Sequence, residues 1–277
     1  MLIDMLPGTQ QPGPVALTIA GFDPSSGAGI TADLAVFAAH GIFGISAITA
    51  LTVQSTVGVQ RVDAVAADLL AQTLSCLQDD LPPAGIKIGM LGDEPQVAAV
   101  VAYLLSLPPD IPIVLDPVLQ STSGARLLSA GGHDLLEREL LPLVHVITPN
   151  ATELSLLAAL PCSTDVEIRA AADALSQRYD GLAILCTGGD RPQPDDLLLH
   201  NGVWTRLPGE HIETRATHGT GCALSSSLLC GLLQEQDLVT AARNAKHYVA
   251  QAMLLATPRG AGNGPMHLLW PMTRHQL

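Results

Sequence analysis

The 277-residue chain reads as an α/β domain of three layers, a mostly parallel sheet with helices on both faces. Three observations predict this. Short apolar runs alternate with helical stretches almost throughout, the pattern of repeated βα units. The composition is 48% hydrophobic but only 3% aromatic, so the core is built from Ala, Leu, Val and Ile, as strands buried on both faces require. No internal repeat and no linker divides the chain. Residues 15–277 are therefore expected to form a single domain behind a loose, Pro- and Gln-bearing tail, residues 1–14.

The first predicted strand is Val15 to Ala20, followed by the turn Gly21-Phe22-Asp23-Pro24-Ser25-Ser26-Gly27-Ala28-Gly29-Ile30, with Asp33 just inside the next helix. This turn is not GxGxxG, and the chain holds no GxxxxGKS/T, so both common nucleotide fingerprints are missing. Gly44 to Leu51 is the second strand, running into the polar patch Thr52 to Thr56. The amide of Gln54 in that patch offers a donor and an acceptor on one plane, suited to a heteroaromatic edge or simply to backbone. A helix over Ala64–Leu77 leads to the strand Ala84–Met90, whose last residue suits a flat ligand or the core. A helix over Glu94–Leu107 and a strand over Ile111–Leu115 follow. That strand delivers Asp116, a candidate for metal or phosphate-bound water.

Next come a helix over His133–Leu141 and a strand over Val144–Thr148 ending at Pro149-Asn150. Asn150 and Glu153 stand three apart at a helix start. They fit a shared hydrated Mg²⁺, and equally a capping box. A helix over Asp165–Tyr179 precedes the strand Leu182–Cys186, which ends in Thr187-Gly188-Gly189-Asp190. A hairpin is predicted at 197–199 and 203–207, then helices over Gly221–Gln234 and Leu238–Ala256, and a tail with Gly260-Ala261-Gly262-Asn263-Gly264-Pro265.

The stretch with the most chemistry is Thr217-His218-Gly219-Thr220-Gly221-Cys222, a glycine loop opening directly into a helix. Such a start aims free N–H groups and the positive end of the helix dipole at an anion. Cys222 falls in the first turn, where a thiol is expected below its free value of about 8.5.

Charge excludes some classes. The net charge is −13, and Lys87 and Lys246 are the only lysines. Such a surface repels nucleic acid and anionic membranes. Five cysteines without CxxC spacing argue against zinc or a disulfide framework and for the reducing cytoplasm. The N-terminus lacks the pattern of a signal peptide, and no apolar run is long enough to span a membrane.

Seven segments, LTIAGFDPSSGAGITADL (17–34), ITALTVQSTVGVQ (48–60), KIGML (87–91), LDPV (115–118), ITPNATE (147–153), THGTGCALSSSL (217–228) and GNGP (262–265), occur in the order of a known family. By them the chain resembles the hydroxymethylpyrimidine/phosphomethylpyrimidine kinases of thiamine biosynthesis, in the ribokinase superfamily. The resemblance implies a ribokinase-like αβα sandwich, a homodimer, ATP and Mg²⁺. It implies two successive phosphorylations of 4-amino-5-hydroxymethyl-2-methylpyrimidine. Gln54, Gly21, Asp33 and Met90 would then bind the pyrimidine. Asn150 would serve the nucleotide phosphates with Thr187, Gly188 and Gly189, and Glu153 and Asp116 the metal. Gly219, Gly221 and Cys222 would form the anion hole. Three features depart from the family: Thr187 replaces a common lysine, Ser123-Gly124-Ala125 replaces Ser-Gly-Asp, and the helix and loop lengths around Arg191–Asp196 are irregular. Pyridoxal kinase activity and a non-catalytic pyrimidine binder stay open as alternatives. A Cys222–His218 acyl-transfer pair lacks a third member.

Overall fold

A computed structural model of the chain describes residues 13–120, 127–189 and 191–273. The tail expected over 1–14 therefore falls almost wholly outside the described residues, as do Ser123-Gly124-Ala125 and Asp190. Nine strands form one sheet in the order β3-β2-β1-β4-β5-β6-β7-β8-β9. They are β1 (Val15–Phe22), β2 (Phe43–Ser55), β3 (Gly58–Ala64), β4 (Gly85–Ile88), β5 (Ile113–Leu115), β6 (Val146–Ile147), β7 (Ala183–Cys186), β8 (Asp196–His200) and β9 (Val203–Leu207). β2, β1, β4, β5, β6 and β7 run parallel. Antiparallel partners close both ends, β3 at one and the β8–β9 hairpin at the other. The fold is thus the mostly parallel αβα arrangement that the alternation predicts.

Strand alternation splits the core in two. Leu17, Ile19, Ile86, Ile88, Leu115 and Ile147 face α2 (Ala67–Asp80), α3 (Glu94–Leu104), α5 (Ala151–Ala158) and α6 (Asp165–Arg178). Ala16, Val114, Val146 and Leu185 face α1 (Gly29–Ala39), α7 (Thr220–Leu233) and α8 (Leu238–Leu254). With period 2, this second face also receives Thr18, Lys87 and Asp116.

Two predicted elements differ. The patch at Thr52–Thr56 is no loop: β2 continues to Ser55 and turns into β3, with Gln54 paired to Val59. The helix expected over His133–Leu141 is broken. α4 spans only Ala130–Leu135, a wider π turn takes Leu136–Leu140, and a 3₁₀ turn holds Leu141–Leu143. Pro142 offers no backbone donor with which to continue the helix. A short α9 (Trp270–Thr273) was not signalled.

Helix starts sort by their caps. α5 and α6 carry full capping boxes, Asn150/Glu153 and Thr164/Glu167, and Asp237 caps α8. α1, α2, α3 and α7 have no side-chain cap, and of these α1 and α7 follow glycine-rich loops. Their first N–H groups are left to the loops before them and to whatever those loops bind.

Candidate active site

Six parallel strands deliver predicted site residues to one edge of the sheet. Gln54 lies at the end of β2, Gly21 in β1, Met90 after β4, Asp116 after β5, Asn150 after β6 and Thr187 after β7. At about 4.8 Å per strand, the row is roughly 24 Å long. The chain leaves β1 toward β2 in one direction and reaches β4 in the other. The crevice outside β1 and β4 is therefore a topological switch point, where open α/β sheets place ligands.

Gly21 and Met90 meet in that crevice: a Cβ on Gly21 would stand 2.4 Å from the Met90 methyl. Thr49 Oγ1 fixes the turn by donating to the Met90 carbonyl at 2.6 Å. Beside them Asp23 organises the β1–α1 loop. One carboxylate oxygen accepts from the Ser25 amide and hydroxyl, and the other from the amides of Gly27 and Ala28. His218 Nε2 lies 2.7 Å from the same carboxylate and 3.0 Å from the Gln54 amide nitrogen. Burial would raise the Asp23 carboxyl, but hydrogen bonds from His218 and Ser25 outweigh it and hold the group below its ordinary value. His218 thus ties three segments together.

The glycine loop sits against this assembly. Gly219 has φ +80°, and a Cβ there would fall 1.9 Å from the Gly27 carbonyl, so only glycine closes the two loops together. α7 starts at the next residue, with the amides of Thr220, Gly221 and Cys222 at its open N-terminus. A Cβ on Gly221 would touch the Asp116 carboxylate at 3.4 Å, so its absence keeps space there.

Beneath α7 lies a buried charge cluster. The Asp33 carboxylate accepts from Thr18 Oγ1 at 2.6 Å, Lys87 Nζ at 2.9 Å and Ser226 Oγ at 2.8 Å. Asp33 and Lys87 have no exposure at all. Asp33 therefore stands under the crevice with its carboxylate engaged by protein groups. Burial works against the Lys87 ammonium, but Asp33, Cys222 and Asp116 together hold its proton more tightly than usual. Asp116 is pushed up to about 6 by burial, against the pull of Lys87 and a hydrogen bond from Cys222.

One expectation is overturned. Cys222 keeps part of its surface open. Its packed surroundings nevertheless push the thiol up to about 12, with desolvation outweighing Lys87 and the carboxylates of Asp116 and Asp33 adding to the rise. Cys222 therefore holds its proton at neutral pH.

At the far end of the row, Asn150 Oδ1 accepts from the Glu153 amide and Glu153 Oε2 accepts from the Asn150 amide. The capping box is real, and among the described residues no three metal-binding side chains converge. The Thr187 amide donates to the Pro149 carbonyl at 2.9 Å, joining Asn150 to the Thr187-Gly188-Gly189 turn. Gly188 donates to Asp196, which pairs with Lys246 at 2.8 Å. A Cβ on Gly188 would lie 2.1 Å from the Asp195 carbonyl. A concavity of about 550 Å³ lined by Ile212, Arg215, Met253 and Pro258 takes none of the predicted residues.

Sequence reasoning missed Asp23, Lys87 and the tie made by His218. Lys87 had one usable signal, a lysine at an alternating position inside the apolar strand GIKI.

Comparison with known proteins agrees with the geometry. Residues 23–267 match the family model described as phosphomethylpyrimidine kinase. A hydroxymethylpyrimidine/phosphomethylpyrimidine kinase of Rhizobium meliloti is 38% identical, over 91% of this chain and 96% of that one. The crystal structure of a phosphomethylpyrimidine kinase from Clostridium difficile superposes with a TM-score of 0.76 at 30% identity, covering 86% of this chain and 99% of that one. The pyridoxal kinase of Staphylococcus aureus in complex with ADP superposes with a TM-score of 0.84 at 25% identity, covering 93% and 94%. With most of its length matched in sequence and in fold, the chain belongs to the phosphomethylpyrimidine kinase family, an ATP-dependent branch of the ribokinase-like fold.

Proposed function

We propose that the protein transfers the γ-phosphoryl group of ATP to the hydroxymethyl oxygen of 4-amino-5-hydroxymethyl-2-methylpyrimidine. A second transfer to the monophosphate then gives the pyrophosphate. The observation that carries this reading is the uncapped N-terminus of α7, set midway along a row of strand-end residues. On this reading Gln54, Gly21 and Met90 hold the ring, and Asp33 supports their pocket from below. Asn150, Thr187, Gly188 and Gly189 hold the nucleotide phosphates. Residues 15–277 act as one catalytic unit.

Phosphoryl transfer through a loose transition state needs alignment and charge neutralisation more than a strong base. The amides of Gly221 and Cys222 are aimed where charge develops, and Lys87 supplies a fixed positive charge below them. Cys222, protonated, donates to Asp116 and keeps a polar atom beside the acceptor oxygen. Its role here is placement, since a thiol near 12 is a poor base at neutral pH. The acceptor proton leaves late, and in the second transfer the acceptor is already an anion.

Asp116 follows β5, and Glu153 stands in the first turn of α5, just after β6, with Oε2 accepting from the Asn150 amide. Their carboxylates fit a Mg²⁺ ion that takes its other ligands from phosphate oxygens and water. When bound, such an ion neutralises charge on the transferring phosphates.

Leu51, Val53 and Val57 on the β2–β3 hairpin are at least half exposed, which supports a homodimer through that hairpin, measurable by sedimentation. Five free cysteines fit a reducing cytoplasm, and no helix among the described residues is long and apolar enough to cross a membrane.

The test is an ADP-release assay with Mg-ATP, offering the pyrimidine and pyridoxal separately and resolving products by mass. Pyrimidine mono- and pyrophosphate are the expected products. Pyridoxal phosphate alone would assign vitamin B6 kinase activity, and ligand binding without ADP release would make the protein a binder. Cys222→Ala is expected to lower kcat by about tenfold or more while leaving pyrimidine affinity in place. Unchanged kcat would remove Cys222 from the reaction.

A further inference from the structure

The contact between His218 and Gln54 holds a conflict that chemistry resolves in one way. A neutral imidazole nitrogen offers either a hydrogen or a lone pair in the ring plane. His218 Nε2 faces the Asp23 carboxylate at 2.7 Å, and an ionised carboxylate only accepts. Nε2 therefore carries the hydrogen and donates it. The same Nε2 cannot then accept from the Gln54 side-chain N–H that stands 3.0 Å away. Rotating the near-isosteric carboxamide by half a turn removes the clash of donors. Gln54 Oε1 then faces His218 and shares that one hydrogen with Asp23, as the longer arm of a three-centre bond, and the NH₂ group is turned aside.

The Asp23–His218 pair is built to stay in place. Four hydrogen bonds from Ser25, Gly27 and Ala28 hold the carboxylate. The imidazole ring lies flush on Gly27, where a Cβ would come within 2.2 Å of a ring carbon.

We propose that His218, anchored by Asp23, is a specificity-determining positioning residue that fixes the Gln54 amide in one orientation and so selects the donor–acceptor pattern of the substrate edge. The inference rests on the reading that Gln54 contacts the pyrimidine. In the fixed orientation the NH₂ meets a ring-nitrogen acceptor while Oε1 meets an adjacent amino donor. The substrate offers that pair in N3 and its 4-amino group. Oε1 has two lone pairs and serves both His218 and the amino group. A 4-oxo ring presents the reverse, N3–H beside a carbonyl. It asks for the rotated amide, which would set NH₂ against the His218 N–H.

The test is calorimetric. Dissociation constants are measured for the 4-amino pyrimidine and its 4-oxo counterpart with the wild type, His218→Leu, His218→Gln and Gln54→Ala. The preference for the 4-amino compound is expected to fall about tenfold in His218→Leu, the worth of one oriented hydrogen bond. His218→Gln, whose terminal NH₂ reaches the place of ring Nε2, should restore most of it. A purely structural histidine would shift both constants together and leave their ratio alone. If the ratio is unchanged in His218→Leu while Gln54→Ala weakens the 4-amino compound, the proposal falls and the pyrimidine contact stands. If Gln54→Ala binds that compound as tightly as the wild type, the contact falls and the proposal with it. Should His218→Leu fail to fold, His218→Asn replaces it. That side chain is too short to reach Gln54, and a full preference in it overturns the proposal.

Discussion

Lys87 and Lys246, the two lysines of the chain, each neutralise a buried aspartate, and they serve opposite ends of the row of strand ends. Lys87 has no exposure and pairs with Asp33, which also has none. It lies under the anion loop, and three further polar groups, Thr18, Ser226 and the Asp116 carboxylate, belong to the same cluster. Lys246 keeps 19% of its side chain exposed and straps Asp196 and the Pro194 carbonyl beside the Gly188 turn. Burial raises the Asp196 carboxyl in spite of Lys246. The first pair is part of the core and carries charge to the reaction. The second holds a loop and can exchange with water.

Breaking the first pair should have the largest effect. Lys87→Met leaves Asp33 buried without its cation and is expected to lose about 3–5 kcal/mol of stability. Adding Asp33→Asn should recover much of that loss in a denaturant melt. It should not recover kcat, because the charge beneath the anion loop is still gone. A double variant with wild-type kcat would show that Lys87 only balances Asp33.

An intermediate effect tests the cluster by pH. Asp116 has an ordinary value of 3.8 when unfolded and about 6 when folded, so the folded state holds an extra proton between them. Its contribution to stability therefore falls as pH rises through that window. Without nucleotide or metal, Asp116→Asn should raise Tm by a few degrees at pH 8 and by almost nothing at pH 4. An equal gain at both pH values would mean that packing, not charge, is responsible.

The smallest effect belongs to Lys246→Met. Asp196 is buried but Lys246 is partly exposed, so losing the lysine should cost about 1.5–3 kcal/mol, the range of a hydrogen bond to a charged group. The change is expected to raise the KM for ATP by loosening the Gly188 turn and to leave the pyrimidine KM alone. A shift confined to the pyrimidine would place Lys246 at the wrong end of the site.

The contrast also explains what could be read in the chain. Strand ends were legible because Asp116, Asn150 and Thr187 each follow an apolar run, and a parallel sheet sends all those ends to one side. The hairpin was not. Thr52, Gln54 and Ser55 are polar because β2 is half open there, and polar alternation at a sheet edge looks like loop. Lys87 was hidden for a different reason: its partner Asp33 is 54 residues away, and only the fold brings them to 2.9 Å. Cys222 misled in the opposite direction. Its place at a helix start argued for an activated thiol, whereas the acids and packing around it come from β4, β5 and α1. Local sequence describes the dipole of one helix and says nothing of what surrounds it.

The hairpin turn at Thr56 rests against the segment Gly260–Gly262, with the Gly262 amide 3.4 Å from Thr56 Oγ1. A few residues further on, the His218 amide donates to the Gly264 carbonyl, and the Gly264 amide donates to the Arg215 carbonyl. A stretch made some two hundred residues after the hairpin thus fastens it, and the same stretch fastens the loop that carries His218. While the ribosome is still adding residues before 260, β3 is an edge strand without its clasp, and the loop carrying His218 lacks its neighbour. A nascent chain can assemble most of the sheet, but it cannot complete the substrate end until residues 260–264 have emerged. Until then its unguarded rim is the part most exposed to wrong pairings, and the part a chaperone would be best placed to shield.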